Sequence, residues 1–255
     1  MKQTLDAFGL NEKVALITGA GSGLGFAIAK CMVAAGGKAI LVGRQRDVLE
    51  KAAAEIGEGA YPEPFDVTHS QEIPGFISRM EKQFGKVDIL VSNAGVHCKK
   101  PLEETSTEDF QRLLDTHVLA SFHLARAVVP GMKQRKNGAL IFIASMTAFI
   151  GMPSVVAYST AKAGLTGMTR ALASELGGDG VRVNAIAPGW IDTPMLHKAI
   201  DGDIPRTNKI LGRTPAHSFG DPEDIGWAAT YLSSPAAKFV NGQVLAVDGG
   251  ALIGF

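Results

Sequence analysis

Seven short apolar runs alternate with helical patterns along nearly the whole chain, and this alternation constrains the fold more than any other feature. The runs cover residues 14–18, 39–42, 61–65, 87–91, 140–145, 181–186 and 244–247. Most are apolar at consecutive positions, the pattern of strands covered on both faces. Helices are predicted over 24–35, over a stretch ending near 56, and over 71–84, 107–133 and 156–176. Strands joined through helices return parallel. The expectation is therefore an α/β fold with a doubly wound, seven-stranded parallel sheet and helices on both faces, in a single domain over residues 1–255. Pro62 and Pro64 interrupt the third run, and proline donates nothing to a ladder, so that strand is predicted at an edge.

Residues 192–220 break the rhythm. They are polar and irregular and follow the carboxyl end of a strand, where open α/β sheets bind ligands. A substrate lid is expected around 192–220, with a plain surface excursion as the alternative. Twenty-five basic residues balance 25 acidic ones, so nothing suggests a nucleic-acid or membrane-surface partner. No apolar run approaches the ~18 residues of a membrane span, and the start has no apolar signal core. Cys31 and Cys98 match no metal-ligand spacing and are too few for a disulfide framework. No metal is expected, and a reducing, cytoplasmic compartment is.

The first strand leads into Thr18-Gly19-Ala20-Gly21-Ser22-Gly23-Leu24-Gly25, with Gly19, Gly23 and Gly25 spaced Gly-x-x-x-Gly-x-Gly. Without a Cβ the backbone turns tightly and approaches a pyrophosphate, which the following helix amino terminus then meets. The turn is expected to bind a dinucleotide through Gly19, Ser22, Gly23, Leu24 and Gly25. A ribose-selecting carboxylate should follow the second strand, but the sequence there is Val42-Gly43-Arg44-Gln45-Arg46. The guanidinium fork of Arg44 suits a 2′-phosphate. NADP(H) is favoured and NAD(H) remains possible; an ordinary solvated Arg44 is the alternative.

Tyr158 and Lys162 are four residues apart on a predicted helix, and Ser145 ends the strand upstream. Positions i and i+4 share a helix face, so the Lys162 ammonium is expected beside the Tyr158 phenol. A phenol titrates near pH ~10, and a neighbouring cation pulls that value down. Ser145 is placed to hold a substrate oxygen. The trio suits proton exchange with an alcohol or carbonyl, although Tyr-x-x-x-Lys also arises by chance on exposed helices.

With these motifs come Asp66-Val67, Asn93-Ala94-Gly95, Pro188-Gly189, Thr193 and Val247-Asp248-Gly249-Gly250. In this order, from Lys13 to Gly250, they make the chain resemble the short-chain dehydrogenase/reductase family. The resemblance implies a Rossmann-type domain that transfers a hydride between NAD(P)(H) and a secondary alcohol or ketone. It implies that Asp66 bonds the adenine amino group, that Val67 packs on the ring, and that Asn93, Ala94 and Gly95 support the sheet and flank the cofactor ribose. It casts Tyr158 as acid/base and Ser145 as the group orienting the reacting oxygen. Lys162 would bind the nicotinamide ribose and lower the Tyr158 pKa, and Pro188, Gly189, Ile191 and Thr193 would meet the carboxamide. Similar enzymes are usually tetramers, which implies a homotetramer (or homodimer) paired through two long helices and the carboxyl-terminal segment. The apolar ending Ala251-Leu252-Ile253-Gly254-Phe255 fits burial there.

Two positions depart from the family pattern. Asp115-Thr116-His117 stands where members usually carry Asn at the third position, and that Asn is thought to hold a relay water through its carbonyl. His117 still supplies a carbonyl, and a histidine tolerated because only its backbone matters is one reading; the other makes its imidazole, titrating near neutrality, a relay member. His217-Ser218 stands where relatives often show Gly-Arg, and altered local packing is expected.

Several stretches, among them 99–104, 213–216 and 239–244, resemble the family's sugar-acid dehydrogenases, such as gluconate 5-dehydrogenase and 2-deoxygluconate 3-dehydrogenase. A sugar acid or polyol is the expected substrate, with a 3-oxoacyl thioester or small cyclic ketone as runner-up. A carboxylate needs a cation: Lys99 and Arg213 are the chosen candidates, with Arg206 among the other lid cations. Met146 and Trp190 are candidate pocket walls. A nucleotide-sensing protein without chemistry is the remote alternative, and the intact trio argues against it. A serine hydrolase would need a Gly-x-Ser-x-Gly turn around Ser145, which is absent.

Overall fold

The computed structural model of the protein describes residues 6–254. Strands β1 (Val14–Thr18), β2 (Lys38–Gly43), β3 (Ala60–Pro64), β4 (Val87–Ser92), β5 (Gly138–Ile143), β6 (Val181–Pro188) and β7 (Val244–Val247) form one sheet. All pairings are parallel, in the order β3-β2-β1-β4-β5-β6-β7. The proline-bearing strand lies at an edge, as predicted. The chain moves outward from β1 to β3 and then returns to β4 on the other side of β1. That reversal opens a crevice at the carboxyl ends of β1 and β4.

Both sheet faces are buried. Leu16, Leu140 and Phe142 pack on α3 (Ile73–Phe84), α5 (Ala120–Arg135) and α6 (Val156–Leu176) through Phe76, Met80, Leu124 and Leu165. Ile17 and Ile141, the next residues along those strands, face the other way. They meet Ile28 and Met32 of α1 (Gly23–Ala34), Leu49 of α2 (Arg46–Ile56) and Ile225 of α9 (Pro222–Ser233). Each such aliphatic side chain contributes about 1.5–3 kcal/mol when fully buried. The two layers together explain why the strand sequences are apolar throughout. Helix α6 buries Ala157, Ala161, Leu165, Thr169 and Ala173, a stripe with period four. Its mostly small side chains bring the helix close to the sheet.

Three features differ from the sequence expectation. The long helix over 107–133 is divided into α4 (Thr107–Leu114), a π-helical turn (Asp115–Leu119) and α5. Residues 192–220 contain two helices, α7 (Pro194–Ile200) and α8 (Ile204–Arg213), rather than irregular chain. Leu196, Ile200 and Ile210 give them a small core of their own, with Trp190 and Phe219 against it. Helix α9 was not predicted, although Pro222 in its first turn and a capping box between Asp221 and Asp224 mark its start. In the apolar ending, Ala251 is buried within its own chain and Ile253 is exposed. Phe255 lies outside the described residues.

Candidate active site

The glycine turn closes over β4. Thr18 ends β1, and its hydroxyl accepts the N–H groups of Asn93 (3.0 Å) and Ala94 (2.9 Å). The Asn93 amide donates back to the carbonyls of Thr18 (2.9 Å) and Gly19 (3.3 Å). This reciprocal lashing fixes the floor of the crevice, and Thr18 is a supporting residue that the sequence reading did not single out. Gly19 has φ +66°, and a Cβ on Gly25 would stand 2.2 Å from the Gly19 oxygen. No side chain therefore fits at Gly25 without moving the turn. Ser22 makes no side-chain cap bond to α1, which leaves first-turn N–H groups to an outside acceptor. A Cβ added at Gly23 would meet nothing nearer than Thr193 Cγ2 at 3.9 Å. The turn thus faces open space bounded by Thr193, and a dinucleotide backbone fits this cradle.

At the carboxyl end of β2, Arg44 is exposed and its charge reaches Asp66. Burial tends to raise the Asp66 pKa, but hydrogen bonds from the Thr68 N–H (2.9 Å) and hydroxyl (2.8 Å) to Oδ1 outweigh it and lower the value. Both bonds engage one oxygen. Val67 beside it is buried. At the carboxyl end of β6, the Gly189 N–H donates to the Val247 carbonyl (3.0 Å), and Thr193 caps α7 by accepting the Leu196 N–H (3.3 Å). Ile191 bridges to Gly220 across the base of the 192–220 segment.

Ser145, Tyr158 and Lys162 come together between β5 and α6. Ser145 lies two residues beyond β5, caps a short turn by accepting the Thr147 N–H (3.2 Å), and hydrogen-bonds the Tyr158 phenol. Burial pushes the Tyr158 pKa up to about 12, against the lowering effect of the Ser145 bond. The net shift is therefore upward rather than the expected depression, because burial outweighs the neighbours that favour the phenolate. Lys162 Nζ donates to the Ile143 carbonyl (2.6 Å) and lies 5.5 Å from the Tyr158 ring centre. Burial brings its own pKa down to about 7, which weakens it as a fixed cation.

Two histidines flank the Tyr158 ring. His117, in the π-helical turn, meets it edge-on at 5.6 Å between ring centres and 87°. Its Nε2 lies 2.8 Å from the Val96 oxygen and 3.2 Å from the Val96 nitrogen, while its buried Nδ1 has no hydrogen-bond partner. A Cβ on Gly95 would stand 2.3 Å from His117 Cε1, so the glycine makes room for this ring. Burial, followed by the nearby Lys162 charge, lowers the His117 pKa to about 3. The expected titration near neutrality is thus corrected: this imidazole is neutral at physiological pH. Its carbonyl accepts the Ser121 hydroxyl (2.5 Å). On the other side, His97 lies tilted against Tyr158 at 4.9 Å between ring centres. The sequence reading missed His97; its position two residues past Gly95 was the available signal.

Of the remaining candidates, Met146 is buried directly beside Ser145, and Trp190 packs on the core of α7 and α8. Lys99 acts on the charge of His97, and so does Arg206 in the first turn of α8. Arg213 is exposed at the opposite end of α8, seven residues and roughly 10 Å along the helix from Arg206. Of the two chosen cations, only Lys99 is tied to the tyrosine cluster.

The family described as Enoyl-(Acyl carrier protein) reductase matches residues 19–251. The chain is 38% identical to the 2-dehydro-3-deoxy-D-gluconate 5-dehydrogenase of Formosa agariphila, covering 98% of this chain and 96% of that one. It is 35% identical to the gluconate 5-dehydrogenase of Gluconobacter oxydans over 97% of this chain and 98% of that one. A crystal structure of a gluconate 5-dehydrogenase from Burkholderia cenocepacia, in complex with NADP and tartrate, superposes with a TM-score of 0.93 at 31% identity. That match covers 97% of this chain and 98% of the other. The chain belongs to the short-chain dehydrogenase/reductase family, whose members are NAD(P)-dependent oxidoreductases acting on CH–OH groups.

Proposed function

We propose that the protein catalyses reversible hydride transfer between NADP(H) and a secondary alcohol or ketone of a sugar acid or polyol. The observation that carries this reading is the Ser145–Tyr158 hydrogen bond with the Lys162 ammonium 5.5 Å from the tyrosine ring centre. When bound, NADP(H) supplies or accepts the hydride. Gly19, Ser22, Gly23, Leu24 and Gly25 would hold its pyrophosphate, and Arg44 its 2′-phosphate. Asp66 would take the adenine amino group through its free oxygen, with Val67 beneath the ring. Asn93, Ala94, Gly95 and Lys162 would flank the riboses, and Pro188, Gly189, Ile191 and Thr193 the carboxamide.

Tyr158 does the proton work. With a pKa near 12, its hydroxyl carries a proton at neutral pH and gives it to the carbonyl oxygen during reduction. In the oxidative direction the phenolate form of the same oxygen takes the proton back from the alcohol. Ser145 orients the reacting oxygen, and His117 is a positioning residue that fixes the Gly95–Val96 backbone and the edge of the tyrosine ring. Residues 192–220 act as the lid, with Trp190 and Met146 as pocket walls. The sugar-acid class is favoured by the gluconate and deoxygluconate dehydrogenases among the relatives. In a panel of sugar acids, polyols and oxoacyl thioesters, sugar acids or polyols turn over fastest, and NADPH exceeds NADH as donor. Fastest turnover of thioesters, or a strong NADH preference, refutes the corresponding part.

We also read the assembly as a homotetramer. Leu119 in the π-helical turn, Phe122 on α5 and Val156 on α6 are exposed apolar residues on one pair of helices. Trp227 on α9 and Leu245 on the edge strand β7 are exposed elsewhere. Two such surfaces suit two pairing axes, and sedimentation as a monomer rules this out. Cys31 and Cys98, both free and buried, support the cytoplasm as the location.

A further inference from the structure

Building on the sugar-acid or polyol reading, we propose that His97 is a specificity-determining residue whose imidazole hydrogen-bonds a hydroxyl on a carbon flanking the reacting carbonyl. The loop leaving β4 is pinned on both sides of this residue. Before it, the Val96 backbone is held by His117 Nε2, which lies 2.8 Å from the Val96 oxygen and 3.2 Å from its nitrogen. After it, Cys98 is buried against Leu113 of α4 and Ala157 of α6. Further along, the Lys100 N–H donates to the Ser154 carbonyl (2.9 Å), and the Lys100 ammonium pairs with Asp109. With both neighbours fixed, the His97 ring is held on that of Tyr158, 4.9 Å between centres and tilted by 41°.

The two imidazoles beside Tyr158 differ in what they can still bind. His117 is 3% exposed, and its Nε2 is committed to Val96. His97 is exposed, and its ring nitrogens make no hydrogen bond among the described residues. Burial against its neighbours, followed by the Lys99 charge, lowers its pKa from the ordinary 6.5. At neutral pH it therefore offers one N–H and one lone pair. A hydroxyl is also both donor and acceptor, so it can bond either tautomer. With the carbonyl oxygen on Tyr158 and Ser145, the substituents of the flanking carbons face the ring that rests on the tyrosine. Sugar acids and polyols carry hydroxyls on those carbons, whereas a simple ketone carries none. The contact reads hydroxylation beside the reacting carbon and is indifferent to a distant carboxylate.

The test takes whichever of a keto sugar acid and a ketose the parent reduces faster. It compares kcat/KM for that ketone with kcat/KM for two deoxy analogues, each lacking the hydroxyl on one flanking carbon. The enzymes are the parent, His97→Phe, which keeps a ring against Tyr158 without a hydrogen bond, and His97→Gln, which can bond without the ring. In His97→Phe the preference over one analogue falls by roughly three- to tenfold, the effect of losing one neutral hydrogen bond. The loss resides mainly in KM, and His97→Gln retains part of the preference. A preference that survives intact in His97→Phe, or an equal loss on all three ketones, overturns the contact and leaves the substrate class standing. A parent that does not distinguish the three ketones has the same meaning. A parent that reduces neither the keto sugar acid nor the ketose overturns the sugar-acid or polyol reading and this contact with it.

Discussion

Tyr158, Lys162 and His117 occupy one largely buried cluster, and burial moves each titration in the direction that disfavours charge. The phenol goes up, and the ammonium and the imidazole go down. For His117 the consequence for stability has a definite sign. The unfolded chain takes up this proton near pH 6.5, whereas the folded protein resists it until about 3. Stability therefore falls as pH drops through that window, by up to about 1.4 kcal/mol per pH unit. Lys162 acts in a separate window, between about 7 and 10.5, where stability instead rises with pH. Replacing His117 by Asn keeps a side chain able to bond Val96 and removes the titration. The variant should lose less stability than the parent when chemical denaturation is compared at about pH 7 and about pH 4.5. Equal acid sensitivity in both proteins would contradict the buried, neutral assignment.

At the scale of elements, the sequence is most readable where one face repeats. Helix α6 occupies its predicted span because its small buried residues recur every fourth position. The strands are recognisable as unbroken apolar runs. The π-helical turn was invisible for a physical reason. Its extra residue per turn shifts the register over only Asp115–Leu119, too short a stretch to disturb the apolar period around it. Such turns concentrate at functional sites, and this one places His117 against Tyr158. Helices α7 and α8 were obscured because they are short and bury only a few residues against each other. His217 shows how a departure from family pattern acts locally. It has φ +51°, a left-handed conformation in which glycine is unstrained. Its Nδ1 lies 3.3 Å from the Leu211 carbonyl near the end of α8. A glycine at this position would adopt the same backbone without a side chain to strain.

Across the whole molecule, the crevice at the β1–β4 reversal brings the glycine turn, Asn93 and the Tyr158 cluster to the same end of the sheet. The motif residues were legible because their chemistry depends on short spacings within one turn or one helix. The contact of His97 with Tyr158 was not, since it exists only after the loop leaving β4 packs against α6. The same holds for the high Tyr158 pKa, which reflects burial rather than spacing. The account rests on Tyr158 as the proton donor to a carbonyl reduced by NADPH. The most direct measurement is the initial rate of NADPH oxidation with a keto sugar acid by the parent and by Tyr158→Phe, with NADPH binding followed separately by fluorescence. The predicted result is a loss of at least roughly a hundredfold in turnover with NADPH still bound. Turnover in Tyr158→Phe comparable to the parent would contradict it.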